Sequence, residues 1–119
     1  MKSKEEILQG LNGFYGTEGY HQLTLPPLKA TDGVKYLCDS AECYWLMDII
    51  HSYQAEKKVA RASMQVWILT VKEDKSAVVI MTDGDEKELI RQEIEYTTFP
   101  LDTIKLYCMN DVILLPGEY

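Results

Sequence analysis

The strongest periodic pattern in the chain lies in residues 40–58. Five apolar side chains recur there at the spacing that places them on one face of a helix: Cys43, Leu46, Met47, Ile50 and Tyr53. Asp39 and Glu42 stand at the spacing of a capping box, and a cluster of cations follows the stripe, where positive charge favours the helix dipole. The pattern predicts one main helix over residues 40–58, with Asp39 as its N-cap.

Shorter elements are predicted before this helix. They are a first helix that begins at Ser3 and ends near residues 10–13, an edge strand at residues 20–25 and a strand at residues 34–38. The pair Asp32-Gly33 is typical of a turn, so it is expected to lead into the third of these elements.

The second half of the chain alternates between apolar runs and turn residues. The predicted strands are residues 64–72, 77–82, 88–96, 104–109 and 112–115. Asp83-Gly84-Asp85 and Asn110-Asp111 are hairpin signals between them. Because consecutive strands with tight turns usually pair antiparallel, we expect a two-layer α+β fold. It would consist of an antiparallel β-meander of about five strands with the main helix and the short N-terminal helix on one face.

Composition narrows the class of protein. The 119 residues form one predicted domain, residues 1–119, and 46% of them are hydrophobic, enough for a core. A formal net charge of −7 argues against direct nucleic-acid binding and is compatible with a basic protein partner. We expect no membrane segment and no secretory signal. Three irregularly spaced cysteines favour reduced thiols and a cytoplasmic location.

Acidic residues concentrate in residues 83–95. Six acidic side chains stand there against Lys87 and Arg91, a net charge of −4: Asp83, Asp85, Glu86, Glu88, Glu93 and Glu95. Alternate carboxylates along an exposed strand resemble a row of phosphates to a basic nucleic-acid-binding protein. The same charges also discourage edge-to-edge aggregation, and the sequence leaves both interpretations open.

Aromatic residues are the second candidate contact surface. Ten per cent of the chain is aromatic, but base stacking requires a basic groove beside the rings, which this sequence lacks. Core packing, or a protein-binding patch near Tyr44 and Trp45, fits the composition better.

Asp48 and His51 are the candidate catalytic pair. Their i, i+3 spacing permits a hydrogen bond that would orient the imidazole as a general base. Ser52 cannot be its nucleophile, because neighbouring side chains on a helix point about 100° apart. A small hydrolase or transferase is therefore an alternative, beside the simpler interpretation of a solvated helix face.

A metal site would have to draw on the cysteines and histidines. Cys38 and Cys43 are five residues apart, outside the spacing that zinc pairs favour, and Cys43 belongs to the apolar stripe. Free cysteine is commonly a small buried hydrophobe. We expect no metal and no cofactor, since the phosphate- and dinucleotide-binding glycine motifs are also missing from the sequence.

Several strings resemble those of a known group of proteins. They are TDGVKYL (31–37), YWLMD (44–48), QVW (65–67), YTTFPL (96–101) and LLPGEY (114–119). The chain resembles a family of short α+β proteins, without an established activity, that is scattered through bacterial genomes, plasmids and phages. The resemblance implies a cytosolic protein linked to mobile elements, a setting that includes small acidic inhibitors of host defence proteins.

The resulting hypothesis is a non-enzymatic, acidic protein-binding module that inhibits a host nucleic-acid-binding or defence protein. Its candidate contacts are Tyr44, Trp45, Asp48, His51, Asp85, Glu86, Glu88, Glu93 and Glu95. The alternatives are the Asp48–His51 enzyme and a homo-oligomeric structural domain joined through an exposed strand or helix face.

Overall fold

The structure is a computed structural model that describes residues 1–85 and 87–119. Within these residues the helices are α1 (Lys4–Leu11), α2 (Asp32–Ala41), α3 (Tyr44–Ser52) and α4 (Lys57–Ala60). The strands are β1 (Tyr20–His21), β2 (Lys29–Thr31), β3 (Gln65–Val71), β4 (Ala77–Thr82), β5 (Glu88–Ile94), β6 (Thr103–Met109) and β7 (Val112–Leu114). The predicted α+β class is confirmed.

The strands form one mixed sheet in the order β1-β2-β7-β6-β3-β4-β5. Strands β2 and β7 are parallel, and the other neighbours are antiparallel. The prediction of a purely antiparallel meander of about five strands is therefore wrong: the described residues hold seven strands. Among the described strands, β3, β4 and β5 form the one run of three consecutive neighbours, because the connection over residues 95–102 carries β6 back to the far side of β3.

Helix α2 replaces the strand predicted at residues 34–38. Thr31 is its N-cap, and the Thr31 Oγ1 accepts a 3.4 Å hydrogen bond from the Val34 N–H. Val34, Leu37, Cys38 and Ala41 are buried at helical spacing. Asp32-Gly33 is thus the first turn of a helix and not a turn that leads into a strand.

The predicted main helix over residues 40–58 is broken into pieces. Glu42 adopts a left-handed conformation with φ 52° and ends α2, so the chain changes direction before α3 begins at Tyr44. Asp39 lies inside α2, so its assignment as an N-cap is wrong. The apolar stripe itself is confirmed, since its first four members are buried: Cys43, Leu46, Met47 and Ile50.

The helices cover one face of the sheet and leave the other face open. Trp67 on β3 is buried on the helix side, where its ring lies 6.0 Å from that of Tyr53. Ile68 and Val66 on the same strand, and Tyr107 on β6, are only half-buried on the opposite face. The core therefore fills the space between the helices and one face of the sheet, and the other face stays open.

Candidate functional site

Strand β5 is the edge strand at one end of the sheet. It pairs with β4 alone, so one side of its backbone has no neighbouring strand among the described residues. Glu88, Arg91 and Glu93 are exposed along it. Arg91 Nη1 donates to Glu88 Oε1 across 3.1 Å, so one carboxylate is partly neutralised. The prediction of acidic side chains on an exposed strand agrees with this geometry.

The turn that leads into β5 is built by an aspartate. The Asp83 Oδ1 accepts a 3.0 Å hydrogen bond from the Asp85 N–H, and Gly84 between them has φ +92°, a conformation that favours glycine. The side chain of Asp83 thus serves the turn, and Asp85 is exposed. Glu86, also a predicted contact, lies outside the described residues.

A small cleft lies where β5 ends. Its volume is about 270 Å³ and its walls are Trp45, Ile94, Tyr96, Thr97 and Thr98. Trp45 is half-buried and meets Phe99 edge to face, with ring centroids 6.4 Å apart, whereas Tyr96 is 67% exposed. The structure therefore brings Trp45 of α3 beside the acidic strand, a neighbourhood that about fifty residues of intervening sequence conceal.

Tyr44 does not share this cleft. Its hydroxyl donates to a carboxylate oxygen of Asp39, which also accepts a 2.7 Å hydrogen bond from Lys35. The lysine first, and then the tyrosine hydroxyl, hold the pKa of Asp39 below its usual range. Because ionised Asp39 accepts a hydrogen bond from the Tyr44 hydroxyl, the pKa of Tyr44 rises to about 12. Tyr44 of α3 is thus held by Asp39 of α2, apart from the cleft beside Trp45.

Asp48 and His51 are held by different partners. Thr24 Oγ1 donates to Asp48 Oδ1 across 2.8 Å, and the His51 Nε2–H donates to the carbonyl oxygen of Pro26 across 3.4 Å. Neither makes a hydrogen bond to the other among the described contacts. His51 lines a cavity of about 650 Å³ with Arg61, but Asp48 does not. The residues do not converge on one pocket, which the enzyme hypothesis requires.

The three cysteines are all buried. Cys38 and Cys43 lie with their sulfur atoms 4.0 Å apart, and the hydrogen bond that the Cys38 thiol shares with Cys43, followed by burial, raises the pKa of Cys38. Burial raises the pKa of Cys108 to about 12. Thiols in this state are unreactive packing groups. In residues 1–85 and 87–119 no cluster of three or more potential metal ligands occurs.

A polar cluster at the opposite end of the sheet was missed by sequence reasoning. The Glu118 carboxylate accepts hydrogen bonds from the Thr31 hydroxyl at 2.5 Å, the Gly33 N–H at 3.2 Å and the Leu115 N–H at 3.0 Å. The C-terminal turn thereby caps α2. The available signal in the sequence was the pair of strings TDGVKYL and LLPGEY, both noted for their resemblance. In the structure these two strings contact each other.

His21 and Asp32 complete this cluster. The His21 Nε2–H donates to Asp32 Oδ1 across 2.7 Å, and the Glu18 N–H donates to the other carboxylate oxygen across 3.0 Å. These two bonds, the histidine first, lower the pKa of Asp32 to about 2. Thr17 also accepts a hydrogen bond from the Asp32 N–H, so the loop before β1 is fastened to the start of α2.

Comparison with known proteins identifies a family. The sequence model of a family of unknown function, DUF6876, matches residues 5–119, and the chain belongs to that family. No curated protein and no solved structure matches the chain significantly. None of the helices in the described part of the chain is long and apolar enough to cross a membrane.

Proposed function

We propose that this protein is a non-enzymatic module that binds a basic protein partner. The proposed contact surface, called the acidic edge, consists of Asp85, Glu88, Glu93, Glu95 and the cleft beside Trp45. The observation that carries the proposal is that an unpaired edge strand presents exposed carboxylates next to an aromatic cleft.

Each part of the acidic edge has a recognised use in binding. The free backbone of β5 can accept an extended segment as a further strand, and carboxylates attract and orient basic side chains. Tyr96 and Trp45 offer aromatic surface beside those carboxylates, and a lysine or arginine that enters between them would gain a cation–π contact. A basic, extended segment fits all three features together.

The partner we favour is a nucleic-acid-binding protein of the host. Its binding surface is already built for a row of negative charges, which the acidic edge imitates. The overall charge of −7 would strengthen long-range attraction to such a surface and repel nucleic acid itself. Occupation of that surface would inhibit the partner, which is the role expected of a small acidic protein of mobile-element type.

Capture of partners from a lysate of the source cell tests the proposal. The expected result is a basic nucleic-acid-binding protein that salt releases and that added DNA displaces. The triple variant Glu88→Lys, Glu93→Lys and Glu95→Lys should lose it. A matched control reverses three exposed carboxylates elsewhere, Glu5, Glu18 and Glu73, for the same change in net charge.

The control separates a specific surface from overall charge. If both triple variants lose the partner equally, attraction is only a property of net charge. If the edge variant keeps the partner, the acidic edge is not the contact. If the edge variant instead aggregates while the control stays soluble, its carboxylates serve to protect an exposed strand.

A further inference from the structure

A second cleft lies beside the first half of β6. Strand β7 pairs with residues 107–109 of β6, so residues 103–106 have no strand on that side within the part of the chain that the structure describes. The end of α1 and the C-terminal turn lie there instead, and they leave a cleft of about 530 Å³. We call it the β6 cleft.

The walls of the β6 cleft are mainly apolar. Leu11 and Phe14 line one side, Ile68 and Ile104 line the edge of the sheet from its two opposite faces, and Leu115 closes the C-terminal side. The first four of these are only half-buried, so their apolar surface is not used up by the core. Phe14 is anchored by its contact with the Tyr36 ring, whose centroid is 5.5 Å away, so the wall is already formed. Preformed apolar walls of this kind are typical of small-molecule sites.

The charge of the β6 cleft is opposite to that of the protein. Lys105 is the charged side chain among its described lining residues, and no carboxylate lines it. Lys105 is exposed, and it makes no ion pair within residues 1–85 and 87–119. The protein carries 19 acidic residues and 12 basic ones, which disfavours anions in general, but Lys105 has no ion-pair partner among the described residues and supplies a local positive charge at the rim of an apolar cleft.

We propose that the β6 cleft binds a small amphipathic carboxylate. The apolar body would lie between Phe14, Ile68 and Leu115, and the carboxylate would accept hydrogen bonds from Lys105 Nζ, which lies on the same face of the sheet as Ile68. Thr103 and Asn12 supply polar groups in the same lining. A neighbouring cleft of about 330 Å³ shares Ile68 and Lys105 and gives room for a longer chain. This inference is independent of the acidic edge.

Binding of decanoate, with decanol as the uncharged probe of equal chain length, tests the inference. In ¹H–¹⁵N NMR titrations we expect saturable shifts at Leu11, Ile104 and Lys105. Lys105→Gln should weaken decanoate binding about three- to tenfold, the range expected for a partly exposed charged hydrogen bond. The affinity for decanol should not change. Lys105→Arg should retain most of the decanoate affinity.

Lys72→Gln is the matched control, because it removes the charge of another exposed lysine, which does not line the cleft. Three results would overturn the inference: no saturable shift with decanoate, shifts that map away from the cleft, or equal decanoate affinity for Lys105→Gln and the unchanged protein. None of them bears on the acidic edge, since capture of a basic partner is measured separately.

Discussion

The two edges of the sheet differ in what their polar side chains contact. At the β1 end, an edge strand of two residues is fastened by His21, Asp32 and the carboxylate of Glu118. At the β5 end, an edge strand of seven residues carries exposed carboxylates, of which Glu88 has an ion-pair partner. The comparison teaches that similar polar residues serve stability where they are half-buried and mutually bonded, and remain free to bind a partner where they are exposed.

The largest effect is expected from removal of Glu118. Glu118→Ala would leave the Thr31 hydroxyl and the N–H groups of Gly33 and Leu115 without their acceptor. We expect a loss of about 2–3 kcal/mol in the free energy of unfolding, because a partly buried cap and its charge are lost together. Urea unfolding measures it. Glu118→Gln is the control and should lose less free energy of unfolding. A loss below about 0.5 kcal/mol for Glu118→Ala would contradict a stabilising role for this cluster.

A similar but smaller effect is expected at Gly33. An added Cβ would lie 2.5 Å from the Leu115 Cδ1 and 2.8 Å from a carboxylate oxygen of Glu118, so these two side chains must shift and the hydrogen bonds of Glu118 are disturbed. Gly33→Ala should therefore destabilise the protein by about 1–2 kcal/mol, although alanine normally favours a helix. Gly16→Ala is the comparison, because no described atom lies within 4 Å of its added Cβ. Equal unfolding midpoints for the two variants would contradict the close contact.

The His21–Asp32 pair predicts a pH dependence. Because the pKa of Asp32 is lowered to about 2 from an ordinary 3.8, its contribution to stability is present above about pH 4. The contribution is lost as the pH falls through about 2, when the folded protein also takes up the proton. Asp32→Asn should narrow the gap in unfolding free energy between pH 5 and pH 2.5. An identical gap in the variant would mean that other carboxylates cause the acid sensitivity.

The smallest effect on stability is expected at the β5 end. Glu93→Lys changes an exposed side chain without an ion-pair partner among the described residues, so the free energy of unfolding should change by no more than about 0.5 kcal/mol. Thermal unfolding measures it. A loss above about 1 kcal/mol would place Glu93 in the same class as the β1 cluster and weaken its assignment to a binding surface.

Local chemistry made part of the fold predictable. The hairpin at Asn110-Asp111 was predicted from two residues, and both adopt positive φ, 52° and 61°, as a tight hairpin turn requires. The apolar stripe of α3 and the order β3, β4, β5 likewise depend on near neighbours. Residues 34–38 were wrongly predicted as a strand although Thr31 caps their helix locally, and a further cap on the Gly33 N–H comes from Glu118, more than eighty residues away.

The candidate site likewise combines features that the local sequence predicts with features that depend on tertiary contacts. The sequence by itself determined that residues 83–95 are acidic and that a strand begins at Glu88, since both properties follow from the residues there. Only the tertiary structure decided that this strand is an edge, that Trp45 meets its end, and that Asp48 and His51 face different partners. The physical reason is that strand order and helix placement arise from contacts between distant segments, such as the return of β6 to β3, which no local pattern encodes.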